Sequence, residues 1–365
     1  MKRLYENGPF INIKSKIAHG LGKKDPKYLI IDLKRFMVKI VNDQNRVKNS
    51  EVFVLKGNIV YGPVPSRRLG RSLGVDLVPY KVCSYDCVYC QLGSTGQTVI
   101  ERKPYIPLDA ILSQLSKKLK SGVKADFITL AGSGEPTLNS ELGDIIKEIR
   151  KISDLPLSLI TNGSLFWDER VRKAAVGADL VLPSLDAWDQ KGFETINRPN
   201  SGIMFNEMAE GLVTFSREYS GAIWLEIFLL EGINSTEEDA GRFREWIKRM
   251  DPERVQINTA VRPPAERKVS AVDMPGLDNF CRLLGEKAEI VASFKDHDAP
   301  GSKPGLEADI LELLERRPCT LEDISSGLGV HRNEVIKYLD SLLSTGQVEQ
   351  VERESAGYYR VRRDS

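Results

Sequence analysis

DFITLAGSGEPTLNSELGDIIKEIRKI, residues 126–152, holds one complete strand and helix unit. DFITLAG reads as a largely apolar strand, and Leu142, Ile145, Ile146, Ile149 and Ile152 then trace one side of a helix. The same alternation runs outward in both directions. Upstream, LGVDLVP at 73–79 is a strand, followed by a helical face of Leu108, Ile111, Leu112, Leu115 and Leu119. Downstream, LPLSLITNG, ADLVLPSLD, AIWLEIFLL and RVQINTA give four more strands, with helical patterns at 167–175, 204–219 and 236–250. Strand and helix units in this order require parallel crossovers, and nearly continuous apolar strands suit a sheet covered by helices. The expected fold is α/β, a partial (β/α)6 barrel over 59–300, with an open doubly wound sheet as its structural rival. A helix at 275–287 and IVASF at 290–294 add a seventh strand candidate.

Both flanks differ from this core. Residues 1–50 carry 12 Lys+Arg against 4 Asp+Glu, so a near-neutral total of 52 against 51 conceals a basic N-terminal region, placed at 1–58. It reads as an anion-facing surface or a solvated extension. EVFVLKGNIVYG at 51–62 suggests strands around a Lys56-Gly57-Asn58 turn. After DHDAPGSKPG, three helical patterns precede two alternating strands around Ser355 to Gly357. That order predicts a winged helix domain at 305–363. No run approaches the roughly 18 apolar residues of a membrane span, which predicts a cytoplasmic chain with no membrane partner.

CSYDCVYC places Cys83, Cys87 and Cys90 as C-x3-C-x2-C directly after the first strand of the barrel pattern, while Cys281 and Cys319 stand apart. A short loop can fold three thiolates around one centre, whereas a strand would point alternate side chains apart. Three soft ligands suit Zn²⁺ or iron–sulfur chemistry. A closed zinc site wants a fourth protein ligand, and the loop has no further Cys or His. In a cuboidal [4Fe-4S] cluster three thiolates leave one iron open to a chelating small molecule.

With this spacing the sequence resembles the radical S-adenosylmethionine (SAM) superfamily, and the resemblance implies a [4Fe-4S] cluster and SAM as cofactors. Cys83, Cys87 and Cys90 then become the metal ligands and the catalytic centre, and Tyr89 packs near the adenine. The methionyl end of SAM binds the open iron, and one-electron cleavage yields a 5'-deoxyadenosyl radical that abstracts substrate hydrogen. GSGEP looks like the family's glycine and glutamate motif. Gly132 and Gly134 would allow close backbone approach, and Glu135 would accept hydrogen bonds from the cofactor's ammonium. Thr161 and Asn162 would line the cofactor pocket, and Ser184 and Asp186 resemble ribose-contacting positions, although Asp186 could equally cap the next helix. Glu226, Gln256 and Asn258 interrupt apolar strands, which calls for a ligand or an internal network.

YGPVPSRRLGRSLGVDLVP, TLAGSGEPTLN, ITNGSL and RPPAE are similar to iron–sulfur oxidoreductases related to wybutosine-synthesis enzymes of tRNA modification. Those enzymes carry a second cysteine set upstream, whereas this chain has no Cys before Cys83, so pyruvate-derived bond formation on tRNA does not transfer. The substrate stays open between tRNA, a peptide and a small molecule. Arg67, Arg68, Arg71 and Arg262 could bind a carboxylate or phosphate, or pair on the surface; Lys81 has no assigned role. An external one-electron donor such as flavodoxin or ferredoxin is implied. The alternative is an iron–sulfur DNA-binding or redox-sensing regulator. Against it, the recognition helix at 331–344 balances Arg332 and Lys337 with Glu334 and Asp340, a poor platform for DNA phosphates.

Overall fold

The apolar stretches become strands of a single curved succession. The computed structural model describes residues 59–66, 68–260, 266, 269–291, 305–330, 332–353 and 356–362, all within one unit, Gly57–Ser365. The basic region at 1–58, including the turn expected at Lys56 to Asn58, lies outside the described residues, as do Arg67 and Arg262.

Eight strands form a sheet in strictly consecutive order: β1 (Val60–Ser66), β2 (Gly70–Val75), β3 (Phe127–Leu130), β4 (Leu157–Thr161), β5 (Leu180–Pro183), β6 (Ala222–Leu229), β7 (Arg254–Thr259) and β8 (Ala288–Ile290). β1 is antiparallel to β2, and every later pair is parallel. The order never reverses, so the switch point of a doubly wound sheet is missing from this succession. Helices α1 (Leu108–Lys120), α2 (Leu142–Ile152), α3 (Glu169–Ala175), α4 (Gln190–Ile196), α5 (Phe205–Glu218), α6 (Glu237–Met250) and α7 (Met274–Leu284) occupy the crossovers. α2 buries Leu142, Ile145, Ile146 and Ile149, as its spacing requires, while Ile152 in its last turn is left exposed. α6 starts at a reciprocal cap in which Thr236 and Asp239 satisfy each other's backbone N–H. Among the described residues no helix is long and apolar enough to cross a membrane.

Several boundaries differ from expectation for identifiable reasons. The strand expected at 73–79 is β2 at Gly70–Val75. Its first residues pair with β1, Ser66 facing Gly70, and after Val75 the Asp76 carboxylate is captured by Ser133, which takes the chain out of the sheet. The seventh parallel strand already begins at Ala288, opposite Val255, two residues before the expected 290–294, of which 292–294 lie outside the described residues. α4 was not expected.

Beyond residue 304, α8 (Leu306–Arg316), β9 (Cys319–Thr320), α9 (Leu321–Leu328), α10 (Arg332–Ser344), β10 (Val348–Arg353) and β11 (Ala356–Val361) build a smaller body. Its sheet has the order β10-β11-β9 and is antiparallel throughout. Its own core includes Leu306, Ile310, Ile324, Val335, Leu342 and Val348, and Val64 of β1 packs against it. The β1 edge is therefore the seam between the two bodies.

Candidate cluster and cofactor site

The cysteine loop is fixed along both margins by backbone hydrogen bonds. On one side Lys81 N–H donates to the Ser133 carbonyl at 2.6 Å and Glu135 N–H to the Val82 carbonyl at 3.0 Å. On the other, Asp86 N–H donates to Asn197 and Val88 N–H to Ile196, each at 3.0 Å, while Asn200 N–H reaches Ser84 at 2.8 Å. Cys83, Cys87 and Cys90 are each half-buried and free of disulfides. Burial pushes the Cys83 thiol up to about 12, with the Glu135 charge adding to it. Burial and then the neighbouring Cys83 push Cys87 well above its ordinary value.

Each sulfur also faces a nitrogen donor, two of them from distant parts of the chain. Asn162 Nδ2 lies 3.6 Å from Cys83 Sγ, Asn197 Nδ2 3.5 Å from Cys87 Sγ, and Lys81 Nζ 3.2 Å from Cys90 Sγ. Among the described residues no three His, Cys, Asp or Glu side chains converge as the ligands of one metal ion do. A cuboidal cluster asks for something else: three neighbouring thiolates, each on a different iron. The nitrogen donors at the three sulfurs suit such a set of thiolates.

The GSGEP turn is shaped by what it must approach. A Cβ on Gly134 would lie 2.0 Å from the Val82 carbonyl oxygen, and one on Gly132, at φ +122°, would lie 1.8 Å from Asp76 Oδ1. Asp76, buried, accepts from Ser133 N–H at 2.9 Å and from its hydroxyl at 3.2 Å. Glu135 is 1% exposed. Its Oε1 accepts from Thr137 N–H, the Thr137 hydroxyl and the Thr161 hydroxyl at 3.0, 2.6 and 2.7 Å, and its Oε2 accepts from Asn162 N–H at 2.7 Å. Burial raises its pKa, against the opposing pull of these donors. One acceptor position on Oε2 is left for a ligand.

Asp186 is buried just past the end of β5. Its Oδ2 accepts from the Tyr89 hydroxyl at 2.5 Å and Asn197 Nδ2 at 2.7 Å, and its Oδ1 from Phe228 N–H at 2.9 Å. The carboxylate thus closes an internal network. The cap of the next helix is Asp189, which accepts from Gly192 N–H. Burial pushes Asp186 up to about 6. Tyr89 stacks on Phe228 with ring centroids 3.9 Å apart. Ser184 joins the site through its backbone, N–H to the Thr161 carbonyl at 3.1 Å, beside Glu226 of β6.

A cavity of about 410 Å³ opens beside Cys87, Tyr89 and Cys90. Arg68, Glu226 and Asn258 line it together: Arg68 pairs with Glu226, and Asn258 Nδ2 donates to Glu226 Oε1 at 3.3 Å. Glu226 and Asn258 therefore interrupt their strands for one network, while Gln256 turns to Glu289 at 2.9 Å. Arg71 pairs with Asp126 near the surface. Leu313, Arg316 and Arg317 border the cavity from the α8 side. Arg316 pairs with Asp76, donates to Ser133 Oγ at 2.6 Å and lies 4.4 Å over the Tyr61 ring. Asp76, Asn197 and Arg316 were missed in the sequence. Asp76 carried a faint signal as the charge within LGVDLVP, and the other two carried none.

The family model of the Radical SAM superfamily matches residues 77–246. A UPF0026 protein of Methanocaldococcus jannaschii is 32% identical over 308 residues, covering 82% of this chain and 95% of that one. A UPF0026 protein of Helicobacter pylori strain J99 is 32% identical over 296 residues, covering 80% and 93%. A protein named GTPase Obg from Brachyspira hyodysenteriae is 38% identical over 311 residues, and this chain spans only 45% of its length. Among solved structures, a radical SAM methyltransferase from Sphaerobacter thermophilus has TM-score 0.47 and 14% identity over 60% of this chain and 65% of that one. The chain belongs to the UPF0026 proteins within the radical SAM superfamily, enzymes whose cofactors are a [4Fe-4S] cluster and SAM.

Proposed function

We propose that this protein is a radical SAM enzyme acting on a small molecule, with Cys83, Cys87 and Cys90 holding the cluster. The observation that carries the reading is one short loop bearing three thiols, each with its own donor, and bonded to the turn that presents Glu135. Bound there, the two cofactors supply one-electron cleavage of a carbon–sulfur bond and abstraction of a substrate hydrogen. Glu135 accepts the cofactor's ammonium on Oε2, and Thr161 and the Asn162 backbone fix the carboxylate's orientation. Gly132 and Gly134 let the turn close on Asp76 and Val82 without a side chain intervening. Tyr89, held by Phe228 and Asp186, lines the cavity and would pack near the adenine of the bound cofactor.

Substrate binds in the cavity beside Arg68, Glu226 and Asn258. About 410 Å³ lies within the range of roughly 300–1,000 Å³ typical of small-molecule pockets. The α8 side chains bordering it favour a metabolite over a folded RNA. Residues 59–300 are the partial (β/α)6 barrel. The order helix, strand, two helices and hairpin supports reading 305–363 as a winged helix domain, with Leu313, Arg316 and Arg317 bordering the cavity. The electron comes from an external donor of the flavodoxin or ferredoxin class. No observation favours the regulator reading.

Anaerobically reconstituted protein, reduced and given SAM, is expected to release 5'-deoxyadenosine. Cys83→Ala, Cys87→Ala or Cys90→Ala is expected to abolish the release. A mononuclear zinc centre, or a fully loaded cluster without cleavage, would refute the reading. Modified-nucleoside profiling of tRNA from a deletion strain, set beside metabolite profiling, tests the substrate class: a lost nucleoside would replace the metabolite.

A further inference from the structure

Lys81 has a backbone conformation that its residue type does not explain. Its φ is +62°, a left-handed geometry in which a side chain is disfavoured and which glycine, asparagine or aspartate usually fills. The surroundings hold it there: Lys81 N–H donates to the Ser133 carbonyl at 2.6 Å, and Val82 N–H closes the turn on Pro79 at 3.1 Å. A lysine at such a position makes sense when its side chain is used. The turn aims Nζ at Cys90 Sγ, 3.2 Å away, with the Gly93 carbonyl as a second acceptor.

The other two thiols have amide donors, Asn162 for Cys83 and Asn197 for Cys87. Both are neutral. Cys90 alone of the three has a full positive charge as its donor. Reduction adds one negative charge to a cluster, and local charge and hydrogen bonding to its sulfurs set the potential at which that happens. A fixed cation beside one thiolate favours the reduced state over the oxidised one, and partial burial limits its screening by salt.

We infer that Lys81 is a positioning residue that raises the reduction potential of the cluster, easing entry of the electron from the external donor. This rests on the cluster assignment above and adds a role for a residue outside the cysteine and glycine motifs.

The test is a redox titration followed by electron paramagnetic resonance on the anaerobically reconstituted full chain, without SAM, comparing wild type with Lys81→Met, Lys81→Gln and Lys81→Arg. All four share the strained backbone, so the comparison isolates charge and hydrogen bonding. Lys81→Met and Lys81→Gln are expected to make reduction about tenfold less favourable, a shift of about 59 mV to more negative potential for one electron. Lys81→Arg is expected to stay near wild type. If Lys81→Met does not hold the cluster, Lys81→Gln against Lys81→Arg carries the comparison, since glutamine keeps a donor without the charge. An unchanged or more positive potential in the neutral variants overturns the inference. So does loss of the cluster from both neutral variants with retention in Lys81→Arg, which would assign Lys81 to assembly alone. Failure of wild type to take up a [4Fe-4S] cluster would instead strike the cluster assignment itself.

Discussion

Glu135 and Asp186 are both buried carboxylates at strand ends, and their donors separate their roles. Glu135 receives four hydrogen bonds, including Asn162 N–H on the oxygen that we assign to the ligand. Glu135→Gln puts an amide N–H against one of these donors whichever way it flips, leaving a buried group unsatisfied at a cost of about 1–3 kcal/mol. The expected result is weaker SAM binding, read by equilibrium dialysis on the reconstituted protein. Asp186 titrates higher when folded than when unfolded, from 3.8 up to about 6. Its contribution to the stability of the cluster-free protein is therefore greatest below pH 4, and is lost as pH rises through about 6. Asp186→Asn should flatten that part of the stability profile, by an amount on the order of 3 kcal/mol, in urea unfolding between pH 4 and 7. A variant profile parallel to wild type would exclude Asp186 as the source. The cysteines and Glu135 were legible because their motifs are contiguous. Asn197 was not, since its bond to Cys87 spans 110 positions and an isolated asparagine carries no pattern.

At the scale of elements, glycine contacts distinguish packing from chemistry. Gly211 in α5 would bring a Cβ to 2.3 Å from Trp167 N and 2.5 Å from the Phe166 carbonyl carbon, both backbone atoms that cannot step aside. Gly211→Ala should cost about 1–3 kcal/mol in denaturant unfolding, with SAM cleavage per folded molecule unchanged. Gly134→Ala meets the Val82 carbonyl instead, and so should part the GSGEP turn from the cysteine loop. The measurable outcome is loss of cluster loading, seen as near-complete loss of iron and sulfide bound per chain after reconstitution, since the loop supplies the proposed thiolates. The strand and helix alternation was readable because burial on both faces leaves apolar runs. Boundaries such as the end of β2 were not, because Asp76 leaves the sheet for a partner 57 residues away.

For the whole molecule, one ion pair links the smaller body to the cofactor loop. Arg316 and Asp76 have side chains only 15% and 6% exposed, so removing one partner strands a charge in a poorly solvated place. Arg316→Met should destabilise by about 3–5 kcal/mol in thermal or chemical unfolding, and adding Asp76→Asn should recover part of it. A single-variant effect near zero would mean that the pair is open in solution. The order of helices and strands after residue 305 was legible from periodicity alone. Their seat on the β1 edge was not, because the decisive contact joins positions 240 apart.

That separation has a consequence during synthesis. At about 5–20 residues per second, a ribosome takes roughly ten to fifty seconds between emitting residue 76 and residue 316. Throughout that interval the nascent chain lacks the guanidinium that neutralises Asp76 beside Ser133. The Asp76 carboxylate thus gains its ionic partner only once residue 316 has emerged, long after the rest of its turn.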